Sequence, residues 1–252
     1  MRLGAGSSLD DGERPAGAAD AEGADARPAA EGADARSADE PVEEAPGPPR
    51  FLEAVKGDFA TMAVMKGADY PSLRGLVDIL GLPGTWAVLL FRLASSLHRA
   101  GLAPLSRLVY FANCVLFGAD LAPTTVVQPG LALPHPVGVA VSPARIGRNV
   151  RLMGGVRVGG GAYDDQTRDG LPTIGDGCFI LDGAKLFGPV VIGPNTVVGT
   201  NAVVTRDLPA NVIAVGHPAR VIRHRQPASV DAGAGPSVGP ASGPAAGVPE
   251  TD

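Results

Sequence analysis

His135 stands between Pro134 and Pro136, with Gly138 close behind, so its imidazole is held at a turn where an outward side chain is expected. An imidazole near its ordinary pKa is neutral at pH 7 and can take a proton from a hydroxyl and hand it on. Asp120 lies fifteen positions earlier. In a chain that coils with a repeat near that length, its carboxylate falls one rung below the same corner. Asp69 sits in Gly67-Ala-Asp-Tyr-Pro71, and Gly159-Gly-Gly161 exposes backbone amides without the Gly-Lys-Ser/Thr of a nucleotide P-loop. Arg220, Arg223 and Arg225 offer cations to an anionic ligand. Each residue also has a plainer reading. A histidine among prolines decorates a loop, Asp120 is a turn residue before Pro123, and Asp69 is a helix N-cap. Likewise the glycines make a flexible turn and the arginines a solvated tail. His98 reads as structural, His217 as shaping a closing turn and His224 as exposed tail.

The elements that must position these groups are set by a sixfold period. Aliphatic residues recur at Ile174, Ile180, Leu186, Ile192, Val198 and Val204, and small residues four positions on (Cys178, Ala184, Thr196, Ala202) suit the inside of a corner. A helix repeats every ~3.6 residues and a strand every two, so this spacing predicts short strands separated by regular bends, a β-solenoid. The same spacing begins at Leu121 and runs through Val127, Leu133 and Val139, then Ile146 after one extra residue, then Leu152 and Val158. Residues 159–173 interrupt it with glycine and charge, an excursion loop of the kind that carries binding groups. The solenoid closes at Gly216-His-Pro-Ala-Arg-Val-Ile222.

Residues 51–118 change to helical spacing: Phe51, Val55, Phe59 and Met62; Leu89, Leu90, Leu93 and Leu97; Leu105, Leu108, Val109 and Phe111. Breakers at Pro71, Gly81 with Pro83-Gly84, and Gly101 with Pro104 divide the segment into three or four helices, a cap for the open end of the solenoid. Residues 1–50 carry 12 acidic and 5 basic residues, no aromatic and a duplicated Ala-Glu-Gly-Ala-Asp-Ala-Arg, and are expected to be disordered. Residues 226–252, rich in Pro, Gly, Ser and Ala, are expected to be the same. The expected division is thus an acidic tail (1–50), a helical cap (51–118), a β domain (119–225) and a second tail (226–252).

The whole-chain charge of −5 hides a net of +5 over residues 51–225. That suits a phosphorylated small molecule, but without dense Lys/Arg clusters and interleaved aromatics it argues against nucleic acid. Cys114 and Cys178 read as buried fillers with no disulfide or zinc framework. The apolar stretch Leu76–Ala94 is interrupted by Asp78, Pro83 and Arg92, which argues against a membrane span, and the default expectation is cytoplasmic.

The sixfold repeat, the excursion loop and Gly216-His217-Pro218-Ala219-Arg220-Val221 resemble the hexapeptide acyltransferases. The helical cap followed by Asp120-Leu-Ala-Pro123 and Leu133-Pro-His135 is similar to the serine O-acetyltransferase family in particular, over roughly residues 55–223. The resemblance implies a mainly β fold, a left-handed parallel β-helix of hexapeptide repeats with an N-terminal helical cap. It implies a homotrimer binding acetyl-CoA between subunits, with no metal, and transfer of acetyl to a hydroxyl, first of all that of L-serine. On the family pattern His135 is the general base, Asp120 holds its other nitrogen and Asp69 contacts the acceptor. Gly159 and Gly160 approach the cosubstrate, and Arg220 meets its phosphates.

Two departures matter. The family has an aspartate where this chain has Pro134, and an Arg-His pair where it has Gly170-Leu171 before Pro172; Arg168 is the nearest substitute cation. These leave open a sugar, polysaccharide or natural-product hydroxyl as acceptor, with Tyr163, Asp164, Asp165 and Gln166 in the loop to bind it, and more remotely a non-catalytic trimeric scaffold. A metal-dependent lyase would need about three converging histidines, against His135 and His217 here. The chain ends Pro249-Glu-Thr-Asp252 rather than in the isoleucine that serine acetyltransferases dock into cysteine synthase, so that partnership is not expected.

Overall fold

The computed structural model describes residues 47–160 and 171–225. Most of the first expected tail, all of the second, and Tyr163, Asp164, Asp165, Gln166 and Arg168 lie outside the described residues.

Four helices open the described chain: α1 (Phe51–Lys66), α2 (Leu73–Leu80), α3 (Pro83–Arg99) and α4 (Ala103–Phe117). Gly67 and Gly118 end α1 and α4 in the left-handed conformation, both at φ 63°. The chain breaks at Gly81 and at Gly101, as the sequence suggested, and Pro83 and Pro104 fall just inside the helices that follow. Each lies in the first turn of the helix it opens, where a missing N–H costs nothing.

The buried faces differ from the expected leucine stripes. On α3 they are Gly84, Thr85, Ala87, Val88, Phe91, Arg92, Ala94 and Ser95, and on α4 Ser106 and Asn113. The reason is close approach with hydrogen bonding: Ser106 Oγ donates to Ala94 O at 2.8 Å and Asn113 Nδ2 to Ala87 O at 3.0 Å. The large apolar residues of α4 consequently point outward, with Leu108, Phe111, Val115 and Leu116 all more than 60% exposed.

From Asp120 the chain forms fourteen short strands that fall into three sheets: β1 (Asp120–Leu121), β2 (Val126–Val127), β3 (Ala140–Val141), β4 (Arg145–Ile146), β5 (Arg151–Leu152), β6 (Arg157–Gly159), β7 (Thr173–Ile174), β8 (Phe179–Ile180), β9 (Lys185–Phe187), β10 (Val191–Ile192), β11 (Val197–Val198), β12 (Val203–Val204), β13 (Val212–Gly216) and β14 (Ala219–His224). The orders are β1-β3-β6-β9-β12, β2-β4-β7-β10 and β5-β8-β11-β13-β14. Among the described residues every pairing is parallel except the closing β13–β14 hairpin, and the chain visits the sheets in rotation. The inward residue of each strand stacks on its counterpart in the next rung: Val127 on Ile146, Ile174 and Ile192, and Leu152 on Ile180 and Val198. Cys178, Ala184, Thr196 and Ala202 are fully buried at the corners, as their size required. At the lower end Ala87, Val88 and Phe91 of α3 join the same buried cluster as Leu121, Val127 and Leu133.

One position of the repeat is corrected. Val141, not Val139, is the strand residue stacked between Leu121 and Val158. From Leu133 to Val141 the chain takes two residues more than from Leu152 to Val158 or from Ile180 to Leu186. The surplus lies in Pro134–Gly138.

Candidate active site

That enlarged corner is what presents His135. Leu133 and Val139 are fully buried on either side, Pro134 and Pro136 are buried too, and His135 between them is exposed. Gly138 and, one rung up, Gly155 stack on one another at the turn with φ 76° and 69°, and a Cβ on Gly138 would stand 3.4 Å from Gly155 Cα. Gly154, one rung up from His135, leaves open the space between it and the following rung. A Cβ there would stand 3.4 Å from His135 Cβ and 3.5 Å from Asp182 Oδ1.

Asp120 opens β1 one rung below, paired with Ala140. Its Oδ1 accepts a hydrogen bond from the Tyr110 hydroxyl at 2.5 Å, and among the described residues no hydrogen bond joins it to His135. That bond, followed by burial, pushes the Tyr110 phenol well above the ordinary tyrosine range, so Tyr110 remains a donor at neutral pH. Sequence reasoning missed Tyr110; its signal was a phenol in the middle of α4, ten residues before the aspartate.

Asp69 is exposed in the α1–α2 connection, and it is not the N-cap. Ser72 is, its Oγ accepting from Gly75 N at 3.1 Å. The Asp69 carbonyl accepts from Ser72 N at 2.9 Å and also from the Ser72 hydroxyl. Its carboxylate is free of hydrogen bonds to any described residue.

Gly159 ends β6 in a buried position, with its carbonyl accepting from Gly188 N at 3.1 Å. Gly160 has nothing within 4 Å of where a Cβ would stand, so its backbone is open to a ligand. Arg220 is exposed on β14, with one guanidinium nitrogen on the Ala219 carbonyl at 2.9 Å. Gly160 and Leu171, the described flanks of the excursion, stand at the far end of β6 from the Gly154–Gly155 corner. One chain therefore places His135 and the described flanks of the loop at opposite edges of the first sheet. A groove of about 170 Å³ on the second sheet, between Gln128, Arg145, Thr173 and Asp176, contains none of the candidate residues. Among the described residues no three His, Cys, Asp or Glu side chains converge as a metal set.

Beneath the site lies a network that sequence reasoning also missed. Asp58 of α1 and Arg92 of α3 form a buried pair, Nε to Oδ2 at 2.8 Å and an outer guanidinium nitrogen to Oδ1 at 2.9 Å. Arg92 also donates to the carbonyls of Val127 and Gln128, and Asp58 Oδ1 accepts from the backbone N–H of Gly130 and Leu131 at 2.9 and 2.8 Å. Burial pushes the Asp58 carboxyl above its ordinary range, against the pull of Arg92 and both amides. Small residues permit the approach: a Cβ on Gly57 would stand 2.7 Å from Pro129 Cβ, and one on Gly84 would overlap Leu133 O. Two helices thus hold the segment that leads into His135.

Comparison with known proteins decides the family. The bacterial transferase hexapeptide (six repeats) family model matches residues 172–206. Serine acetyltransferase from Mycobacterium tuberculosis is 33% identical over 178 residues, 70% of this chain and 76% of that protein. The chain belongs to the serine acetyltransferase family. Two solved members align over most of the described residues. Serine acetyltransferase from Brucella abortus in complex with coenzyme A superimposes with a TM-score of 0.61 at 26% identity, covering 70% of this chain and 69% of the other. The Neisseria gonorrhoeae enzyme in complex with serine does so with a TM-score of 0.59 at 27% identity, covering 68% of each. As a family member the chain is an acyltransferase.

Proposed function

We propose that this chain transfers the acetyl group of acetyl-CoA to the hydroxyl of L-serine. A single observation carries the reading: in a member of the serine acetyltransferase family, an exposed histidine is projected from a corner enlarged by two residues. His135 takes the hydroxyl proton as the acceptor oxygen attacks the thioester carbonyl. The C–O bond forms, the C–S bond breaks, and the proton passes to the departing thiolate. Asp120, steadied by Tyr110, supports the imidazolium from below.

Asp69 receives the acceptor's ammonium and Arg168 its carboxylate. The open backbone of Gly159 and Gly160 and the exposed Arg220 fit a long, anionic cosubstrate, and no metal takes part. Residues 51–118 serve as the cap and 119–225 as the catalytic β domain. The rotation of strands among three parallel sheets, in a family of hexapeptide enzymes, supports a left-handed β-helix.

The working unit is a homotrimer. Two features support it: His135 and the described flanks of the excursion, Gly160 and Leu171, lie at opposite edges of one sheet, an arrangement in which a neighbouring copy brings the second to the first, and α4 leaves Leu108, Phe111, Val115 and Leu116 exposed. No helix among the described residues is long and apolar enough to cross a membrane, which fits a cytoplasmic enzyme. A sugar or natural-product hydroxyl is the second reading, favoured by the buried Pro134 beside His135 and the exposed Leu171 at the loop's end. Thiol release from acetyl-CoA, measured with L-serine and with a panel of hydroxylated sugars, separates them. Turnover on serine is expected; turnover only on a sugar overturns the choice of acceptor.

A further inference from the structure

A second carboxylate stands over the His135 corner. Gly154 separates two side chains contributed by different rungs, His135 below and Asp182 above, and a single methyl-sized gap divides them. The point where a Gly154 Cβ would stand is 3.4 Å from His135 Cβ and 3.5 Å from Asp182 Oδ1. The His135 Cβ and the Asp182 carboxylate oxygen are thus less than about 7 Å apart, a span that rotation of the imidazole about its side-chain bonds can bridge; no hydrogen bond joins the two side chains in this structure.

Asp182 is exposed, and among the described residues its carboxylate makes no hydrogen bond or ion pair. The neighbouring cation, Lys185, places its ammonium on Gly183 O at 3.0 Å. Asp120, the carboxylate on the rung below, is already engaged by Tyr110. On the outward ladder of the first sheet beside the corner the charged groups are Asp120 with its phenol from below, then Arg157 and Lys185 above it, and Asp182 stands over the corner itself; of the two carboxylates, Asp182 is the one with no hydrogen-bond partner among the described residues.

We propose that Asp182 is a positioning residue for His135. Resting on the reading of His135 as general base, the proposal gives Asp182 two tasks. It fixes which ring nitrogen carries the proton in the resting state, and it stabilises the imidazolium formed when the acceptor hydroxyl is deprotonated. It also returns an acidic group to a corner where the residue before the histidine is Pro134.

The test is the titration of His135 in the full chain by NMR, where four histidines make assignment with His135→Ala direct. A carboxylate about 6 Å away in a water-like medium raises a histidine's pKa by about half a unit. Asp182→Asn should lower the His135 midpoint by about that much and move the acid limb of kcat/KM down in step. Asp182→Glu should restore both, whereas a merely structural role would move neither. Asp182→Ser serves if the amide perturbs the turn. A midpoint that Asp182→Asn and Asp182→Ser leave unmoved overturns the proposal. A midpoint that moves in a protein releasing no thiol with any hydroxyl upholds the pair and overturns instead the reading of the site as a transferase.

Discussion

Asp58→Ala should be the most damaging single change in the helical segment, and its cost follows from the hydrogen bonds it removes. The carboxylate is 4% exposed and accepts four of them, two from Arg92 and one each from the backbone of Gly130 and Leu131. Removal leaves a guanidinium that is itself 5% exposed without its counter-charge. Breaking a buried pair in this way costs about 3–5 kcal/mol. Each orphaned buried amide adds roughly 1–3 kcal/mol, less than additively because the groups share one network. A loss of about 5 kcal/mol is expected, a large part of the roughly 5–15 kcal/mol that holds an ordinary domain together. Urea unfolding followed by circular dichroism, at fixed protein concentration because subunit association contributes, measures it. The double change Asp58→Leu with Arg92→Met removes both charges and should recover the part of the loss due to the unpaired guanidinium, while the Gly130 and Leu131 amides stay without their acceptor. A loss below about 1 kcal/mol for Asp58→Ala, the range of an exposed pair, would refute the reasoning.

Two further outcomes follow from the shifted groups. The Tyr110 phenol is held high by its bond to Asp120, so that bond persists below the ordinary tyrosine range and is lost only as pH rises through the raised value. Absorbance at alkaline pH should show a late-ionising tyrosine that Tyr110→Phe abolishes, and a single ionisation near the ordinary value would contradict this. Burial pushes the Cys178 thiol up to about 11, and the residue is fully inaccessible. A thiol reagent at pH 8 should therefore label it only on unfolding; rapid labelling of the native protein would be inconsistent with its place in the core.

The repeat was legible because a stacked coil needs one aliphatic residue inward per strand and a small one at each corner, and both recur at fixed spacing through Val204. What blurred it was local surplus. Val139 keeps the sixfold count and is buried, yet Val141 holds the strand position, because a two-residue expansion does not change which residues are apolar. The same expansion is what exposes His135, so the repeat is least regular where the chemistry is proposed. In the cap, helix number and breakers were legible but the buried faces were not. Leu105, Leu108 and Phe111 form the obvious stripe of α4, while Ser106 and Asn113 make the contact through hydrogen bonds to carbonyls of α3. Arg92 interrupting an apolar helix was read only as an argument against a membrane. Its partner, Asp58, lies 34 residues away and could not be paired with it without the packing. Asp182 went unread for a similar reason: only the stacking of rungs brings it to Gly154 and His135.

The central claim is that an imidazole at the enlarged corner removes the acceptor's proton. The most direct measurement is kcat/KM for L-serine, from thiol release by acetyl-CoA, in the unaltered chain and in His135→Ala. With the fold intact, the account predicts turnover on serine and a loss of about 10²–10⁴-fold on substitution. An unchanged rate in His135→Ala would contradict it.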